Sequence, residues 1–290
     1  MTEWLNTITD ESLRKDVKES LLVSGGSITS MLQNVKVNDF DVYLQNRAVL
    51  LRLVNYYADK HVGVRVLDGR NKDTLVKNLE SDYEKCADSI EQIYNQYSIC
   101  LRNLKEDQIK LFLYNGGMRV NEGEPNEEGK YVVKYFSPNA ISLSDNVQIV
   151  IRFYGSPEEI HKTFDYIHAT NYFTFEKGIV TNISALESII TKQLKYQGSM
   201  YPVTSIIRMK KFLKRDWNIS AGEILKMAFQ VSQLDLSDPD TLEEQLIGVD
   251  VAYFGKLIEI LRGVDKENLT SEYLNTIIDR VFSDSEEDQQ

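Results

Sequence analysis

Two aspartates separated by a single residue, Asp39 and Asp41, follow shortly after a Gly25-Gly26-Ser27 turn. On an extended strand successive side chains alternate between faces, so residues two apart share one face. Asp39 and Asp41 would then point one way, and Phe40 and Val42 the other. Carboxylates held side by side repel, and a hard divalent cation with oxygen ligands relieves that repulsion. Mg²⁺ is the expected ion, with Asp39 and Asp41 as its ligands. Glycines let backbone N–H groups approach phosphate oxygens, and a helix starting at the turn adds a favourable dipole. Gly25, Gly26 and Ser27 are therefore expected to hold a triphosphate. Each half of this pattern has an ordinary use, as a strand–helix joint or as a solvated strand face. Both halves in order within residues 21–44 are far more specific than either alone.

Such residues need elements to position them. Leu21-Leu22-Val23 reads as a short apolar strand, residues 28–32 as the first turns of a helix, and 40–44 as a second strand. Residues 2–20 read as helix with Asp10 as an N-cap, 47–57 as a further helix and 62–67 as a third strand. The expectation is a compact mixed sheet built from these three strands. Apolar or aromatic residues then recur at Leu79, Tyr83, Cys86, Ile90, Ile93, Tyr97, Cys100 and Leu104, in steps of four and three. That spacing predicts one continuous amphipathic helix over 79–104, buried against its own chain or against a second copy. The helical segment extends over about 71–107.

Strands are predicted at 109–114, 130–136 and 147–153, with an acidic loop at 121–129. Ser156-Pro157-Glu158-Glu159 opens a helix, with Ser as cap, Pro at the first position and acids in the first turn. Helices are predicted at 183–195, 203–214, 221–230, 240–247, 251–261 and 271–282, with no strand of comparable strength after Val180. The predicted class is α+β. A mixed-sheet head occupies 1–190, a helical region 191–282, and a disordered acidic tail 283–290.

The 42% hydrophobic and 10% aromatic content of the 290 residues is that of an ordinary globular protein. No run of 18 apolar residues occurs, and the first ten residues lack the plan of a signal peptide, which predicts a cytoplasmic protein with no membrane partner. Cys86 and Cys100 stand fourteen apart in one predicted helix and cannot meet there, so both are read as reduced thiols. Three histidines without ligand spacing argue against zinc. The net charge of −11 counts against nucleic acid, since phosphate binding rests on Lys and Arg. Local distribution matters more. Residues 192–215 carry seven bases and no acid: Lys192, Lys195, Arg208, Lys210, Lys211, Lys214 and Arg215. This segment is the expected RNA contact.

The order of these motifs resembles the DNA polymerase β-like nucleotidyltransferases, within them the head of tRNA CCA-adding enzymes and bacterial poly(A) polymerases. Gly25-Gly26-Ser27-Ile28-Thr29-Ser30-Met31-Leu32 followed by Asp39-Phe40-Asp41-Val42 resembles that family's first motif. Thr29-Ser30 stands where those enzymes usually carry Arg-Asp. Asp165-Tyr166-Ile167-His168-Ala169 resembles a second block, with Thr163-Phe164 in place of its arginine pair. The stretch from Thr204 to Ile219 resembles a third, through Arg208, Lys211, Phe212 and Trp217-Asn218-Ile219. Relative to those nucleotidyltransferase heads, the helical segment over about 71–107 looks like an insertion. The pattern is also similar to nucleotidyltransferase-like proteins encoded by bacteriophages.

The resemblance implies Mg²⁺-dependent transfer of a nucleoside monophosphate from an NTP to an acceptor. It makes Asp39, Asp41 and Asp165 the catalytic carboxylates. Arg208, Lys211 and Arg215, on a shared helical side, would join Gly25, Gly26 and Ser27 in binding the nucleotide. His168 would be a structural or substrate-positioning group. The acceptor is left open among a tRNA 3′ end, another RNA, a small molecule and a protein side chain. The alternative is an inactive relative that uses the fold as a structural or virion-associated module, in which the 79–104 helix serves self-association.

Overall fold

The structure, a computed structural model, describes residues 1–61, 63–83, 91–113, 118–119, 130–246, 260–264 and 270–286. The chain divides into two units. The first holds Met1–His161 and Ala169–Ile183, the second Lys162–His168 and Ser184–Gln290.

The first unit opens with helices α1 (Thr2–Asn6) and α2 (Glu11–Ser20), separated where the sequence predicts one helix. Asp10 caps α2 as predicted, its carboxylate accepting from the Leu13 N–H at 2.9 Å. Strand β1 (Leu21–Ser24), helix α3 (Gly26–Leu32), strand β2 (Phe40–Leu44) and helix α4 (Arg47–Ala58) follow. Next come β3 (Val64–Asp68), helices α5 (Lys72–Tyr83) and α6 (Glu91–Arg102), and β4 (Ile109–Leu113). The unit is completed by β5 (Met118–Arg119), β6 (Val133–Ser137), β7 (Ala140–Leu143), β8 (Val147–Val150), α7 (Pro157–His161), β9 (Tyr172–Thr174) and β10 (Gly178–Val180).

Eight of these strands form one mixed sheet in the order β10-β9-β1-β2-β8-β7-β6-β5. Only β2 and β8 pair in parallel, through Phe40↔Val147, Asp41↔Gln148 and Val42↔Ile149. Alternation decides which residues each face receives. Leu21, Val23, Val42, Leu44 and Ile149 enter a core with Trp4, Val17, Leu50, Leu53 and Val54 from the helices. Ser24 and Asp41 are cross-strand partners. Directly opposed residues project to one face of a sheet.

The third predicted strand departs from expectation. Strand β3 leaves the main sheet and pairs with β4 in a separate hairpin from Val64↔Leu113 to Asp68↔Ile109. The place beside β2 goes instead to the apolar Val147–Val150, a central strand as predicted. Helices α5 and α6 lie between the paired strands β3 and β4, and the chain leaves and rejoins the pair through a narrow neck. A Cβ on Gly69 would fall 1.9 Å from the Lys105 carbonyl oxygen, so only glycine lets the two backbones approach there. Arg47 and Asp68 pair beside this neck at 2.5 Å.

Residues 84–90 lie outside the described ones, and with them the predicted continuity of the helix, Cys86 and Ile90. Tyr97, Leu101 and Leu104 bury against Leu67 and Phe112 of the same chain. Cys100 is exposed, and Leu101 takes the buried place that the heptad reading assigned to it, because Tyr97 and Leu101 are one turn apart on α6, while Leu104 joins the cluster just past its end. The acidic loop 121–129 also lies outside the described residues.

The second unit holds α8 (Ile183–Thr191) from Ser184 on, β11 (Gln193–Leu194), α9 (Pro202–Leu213), β12 (Asn218–Ile219), α10 (Ala221–Val231), α11 (Pro239–Gln245) and the helix Ser271–Glu286. The last of these runs past its predicted end at Phe282 into the segment read as a disordered tail; most of the predicted 251–261 helix lies outside the described residues. The region is not purely helical. Gln193↔Asn218 and Leu194↔Ile219 pair in parallel, with α9 as the crossover. Two-residue strands carry too little periodicity to be read from sequence. Lys162–His168, placed in the head by the sequence reading, belongs here because its backbone is engaged here. Ile167 N–H donates to Lys195 O and Gln197 N–H to Asp165 O, both at 3.0 Å.

Candidate functional site

The glycine turn is built as its sequence suggests. Strand β1 ends at Ser24, Gly25 turns with φ +92° and ψ −152°, and α3 begins at Gly26. That backbone region is essentially reserved for glycine. A Cβ on Gly25 would stand 3.3 Å from Asp41 Oδ2, so the absent side chain is what allows the carboxylate to sit against the turn. Gly26 is open, with nothing within 4 Å of a built Cβ. Ser27 is buried, and its hydroxyl oxygen has no hydrogen-bond partner.

Asp41 lies on β2, half-exposed, and Asp39 is the exposed residue immediately before that strand. Phe40 and Val42 turn to the core, as alternation predicts. The structure thus brings Asp41, Gly25 and Gly26 together at one end of β1–β2, with Asp39 two residues along the chain. These donors suit Mg²⁺, which usually takes one or two protein carboxylates and completes its shell with water and phosphate oxygens. Among the described residues no group of three or more His, Cys, Asp or Glu side chains could hold a metal ion. A two-carboxylate site is the version these residues fit, and the orphaned Ser27 hydroxyl marks unused polar capacity beside it.

Sequence reasoning missed the residues that secure the turn. Ser24 Oγ lies 2.9 Å from His161 Nε2, 2.8 Å from Asn171 O and 3.2 Å from Ala169 O. Gly25 N–H donates to Ala169 O at 3.1 Å. Asn171 is held by Asn182, whose backbone N–H donates to Asn171 Oδ1 at 2.9 Å. No local spacing announces these partners, since Ser24 and His161 are 137 residues apart. The only signal near His161 is the Ser156-x-x-Glu159 helix start.

The second unit places the remaining candidates differently. Asp165 is buried, lies in a bend, and forms an ion pair with Arg208 at 3.0 Å. Two residues assigned to catalysis and to nucleotide binding therefore hold each other. Lys211 is exposed on α9. Arg215 lies beyond the end of α9 at Leu213, so the shared helical side does not extend to it. His168 is buried among aromatic rings, 4.5 Å from Phe212 and 4.8 Å from Trp217 between centroids. Burial lowers its pKa to about 4, against a weaker opposing pull from Asp165, which keeps the imidazole neutral near pH 7. Tyr166 lies beside it, donating to Ser205 O at 2.7 Å.

Comparison with known proteins adds the following. The chain is similar to the Thermotoga maritima CCA-adding enzyme complexed with tRNA, at 12% identity and a TM-score of 0.38, over 90% of this chain and 53% of that one. It is similar to the Bacillus stearothermophilus CCA-adding enzyme in complex with CTP, at 9% identity and a TM-score of 0.40, over 86% and 50%. The chain thus spans about half the length of those proteins. A curated protein of Bacillus phage SPbetaL7, "Gabija anti-defense 2", is 24% identical over 113 residues, which cover 38% of this chain and 28% of that protein. The model of the Gabija anti-defense 2 protein family matches residues 1–192, and the chain belongs to that family.

Proposed function

We propose that the chain is a Mg²⁺-dependent nucleotidyltransferase that works for a phage against a host defence. The observation that carries the chemistry is Asp41 seated against the Gly25 turn, its Oδ2 3.3 Å from where a Cβ would stand. Asp39 and Asp41 would hold Mg²⁺, which when bound would neutralise phosphate charge and ease deprotonation of the acceptor hydroxyl. Gly25 and Gly26 would receive the triphosphate, and Ser27 would give its unpartnered hydroxyl to a phosphate oxygen. Catalysis of this kind is chiefly positioning and charge stabilisation. Asp165 is assigned a structural role through Arg208, and Lys211 and Arg215, exposed in the basic 192–215 segment, are assigned to RNA. The anti-defense role extends to this chain what the phage relative's name states, and action in the host cytoplasm would follow from it.

A second reading, binding of nucleotide without turnover or use of the fold as a structural module, is favoured by the Asp165–Arg208 pair, which occupies the residue that the resemblance would make a third catalytic carboxylate. Purified protein incubated with Mg²⁺, labelled nucleotides and total RNA separates the two. Label transferred to RNA supports the enzyme. A Mg²⁺–nucleotide thermal shift without transfer supports binding alone, and neither signal sinks the nucleotide site.

A further inference from the structure

Ser24 is fully buried at the end of β1, and its hydroxyl has one hydrogen for three neighbours: His161 Nε2 and the carbonyl oxygens of Asn171 and Ala169. Carbonyl oxygens only accept, so the Ser24 hydrogen goes to their side. His161 must then donate, placing its hydrogen on Nε2 and directing it at Ser24 Oγ. The position of His161 is itself built. Ser156 and Glu159 form a reciprocal capping box, Ser156 N–H donating to Glu159 Oε2 at 2.8 Å and Glu159 N–H to Ser156 Oγ at 3.3 Å. This fixes the start of α7, whose last residue is His161. The Tyr172 ring flanks the imidazole at 5.7 Å between centroids. On the far side, Asn182 holds both Asn171 and Thr170, its Nδ2 donating to Thr170 Oγ1 at 3.0 Å.

We propose that His161 is a positioning residue for the glycine turn: acting through Ser24, it clamps the end of β1 to the Ala169–Asn171 backbone and so sets Gly25 for a nucleotide phosphate. The inference rests on the reading of Gly25–Ser27 as the phosphate-holding turn. Without the imidazole donor, Ser24 Oγ keeps buried lone pairs with no donor. The Gly25 N–H bond to Ala169 O, next along the chain, then loosens.

The test uses the full chain and two readouts, hydrogen exchange of the Gly25 amide and binding of ATP with Mg²⁺. In His161→Leu, exchange at Gly25 should quicken by about tenfold, and ATP binding should weaken by a similar factor, the size expected for one lost hydrogen bond. His161→Gln, which restores an N–H donor, should recover most of both losses. The double variant Ser24→Ala, His161→Leu should be no worse than Ser24→Ala alone, since the imidazole acts through that hydroxyl. Ser24→Ala carries the same test should His161→Leu fail to fold. Unchanged exchange at Gly25, or a Gln variant no better than Leu, overturns the clamp. If the wild type binds no ATP with Mg²⁺, the phosphate reading of the turn falls, while exchange at Gly25 still decides whether the clamp exists.

Discussion

The turn at Gly25 and the bend at Asp165 both carry carboxylates that the sequence marks out, yet they differ in what surrounds those groups. At the turn, Asp39 is exposed, Asp41 borders a space that only glycine leaves free, and Ser27 Oγ has no partner. At the bend, Asp165 is ion-paired with Arg208, and the neighbouring Tyr166 and His168 are packed in aromatic rings. Buried polar groups ordinarily find partners. A buried hydroxyl left unspent beside a glycine turn is suited to a ligand, whereas Asp165 is spent on Arg208 within a packed aromatic cluster.

The largest effect that would sharpen this contrast is structural and falls on the second region. Tyr166→Ala removes a fully buried ring and its hydrogen bond to Ser205 O, and should destabilise the protein by about 3–5 kcal/mol in denaturant unfolding. A loss near zero would mean that the aromatic cluster is not a core.

Next in size is a pH effect. His168 has its pKa lowered to about 4 by burial, below the ordinary 6.5 of an unfolded chain. Between those values the unfolded state binds the proton and the folded state does not. Stability is therefore full above about pH 6.5 and falls as pH drops toward 4, by up to about 3 kcal/mol. His168→Leu should flatten that part of the profile, and an unaltered slope would place its cause elsewhere.

A smaller loss of stability belongs to the first region. Gly25→Ala forces a side chain into a backbone region reserved for glycine, at a cost of about 1–3 kcal/mol. The new methyl also presses on Asp41 Oδ2. Unlike Tyr166→Ala, this variant should lose Mg²⁺–nucleotide binding out of proportion to its stability. Equal losses in both would erase the distinction between the regions.

How much of this was legible in the sequence follows from what each feature depends on. Local chemistry was readable. Asp10 caps α2, Ser156 and Glu159 open α7, and the strand–glycine–helix order at residues 21–32 holds, with the strand one residue longer and the helix starting two residues earlier than read. Pairing across the chain was not. That β8 rather than β3 lies beside β2 depends on which strand reaches that edge, and both segments are apolar enough to do so. Ser24 reads as a turn residue and His161 as a helix end; only the fold brings them to 2.9 Å. Asp165 shows the opposite case. Its motif neighbours were legible, but its partner Arg208 lies 43 residues away and could not be read from local spacing.

Under the proposed function, nucleotide transfer depends on the charge at Asp39 and Asp41 and not on Asp165. Asn keeps the shape of Asp and removes its charge. The direct measurement is transfer of labelled nucleotide to total RNA with Mg²⁺, alongside thermal unfolding, for three proteins: wild type, the Asp39→Asn, Asp41→Asn double variant, and Asp165→Asn. The double variant should unfold at the wild-type temperature or above it, because a like-charge repulsion is gone. Its transfer should fall by at least about a hundredfold. Asp165→Asn should lower stability and leave transfer in place. Wild-type transfer in the double variant, or its abolition in a folded Asp165→Asn protein, would contradict the claim.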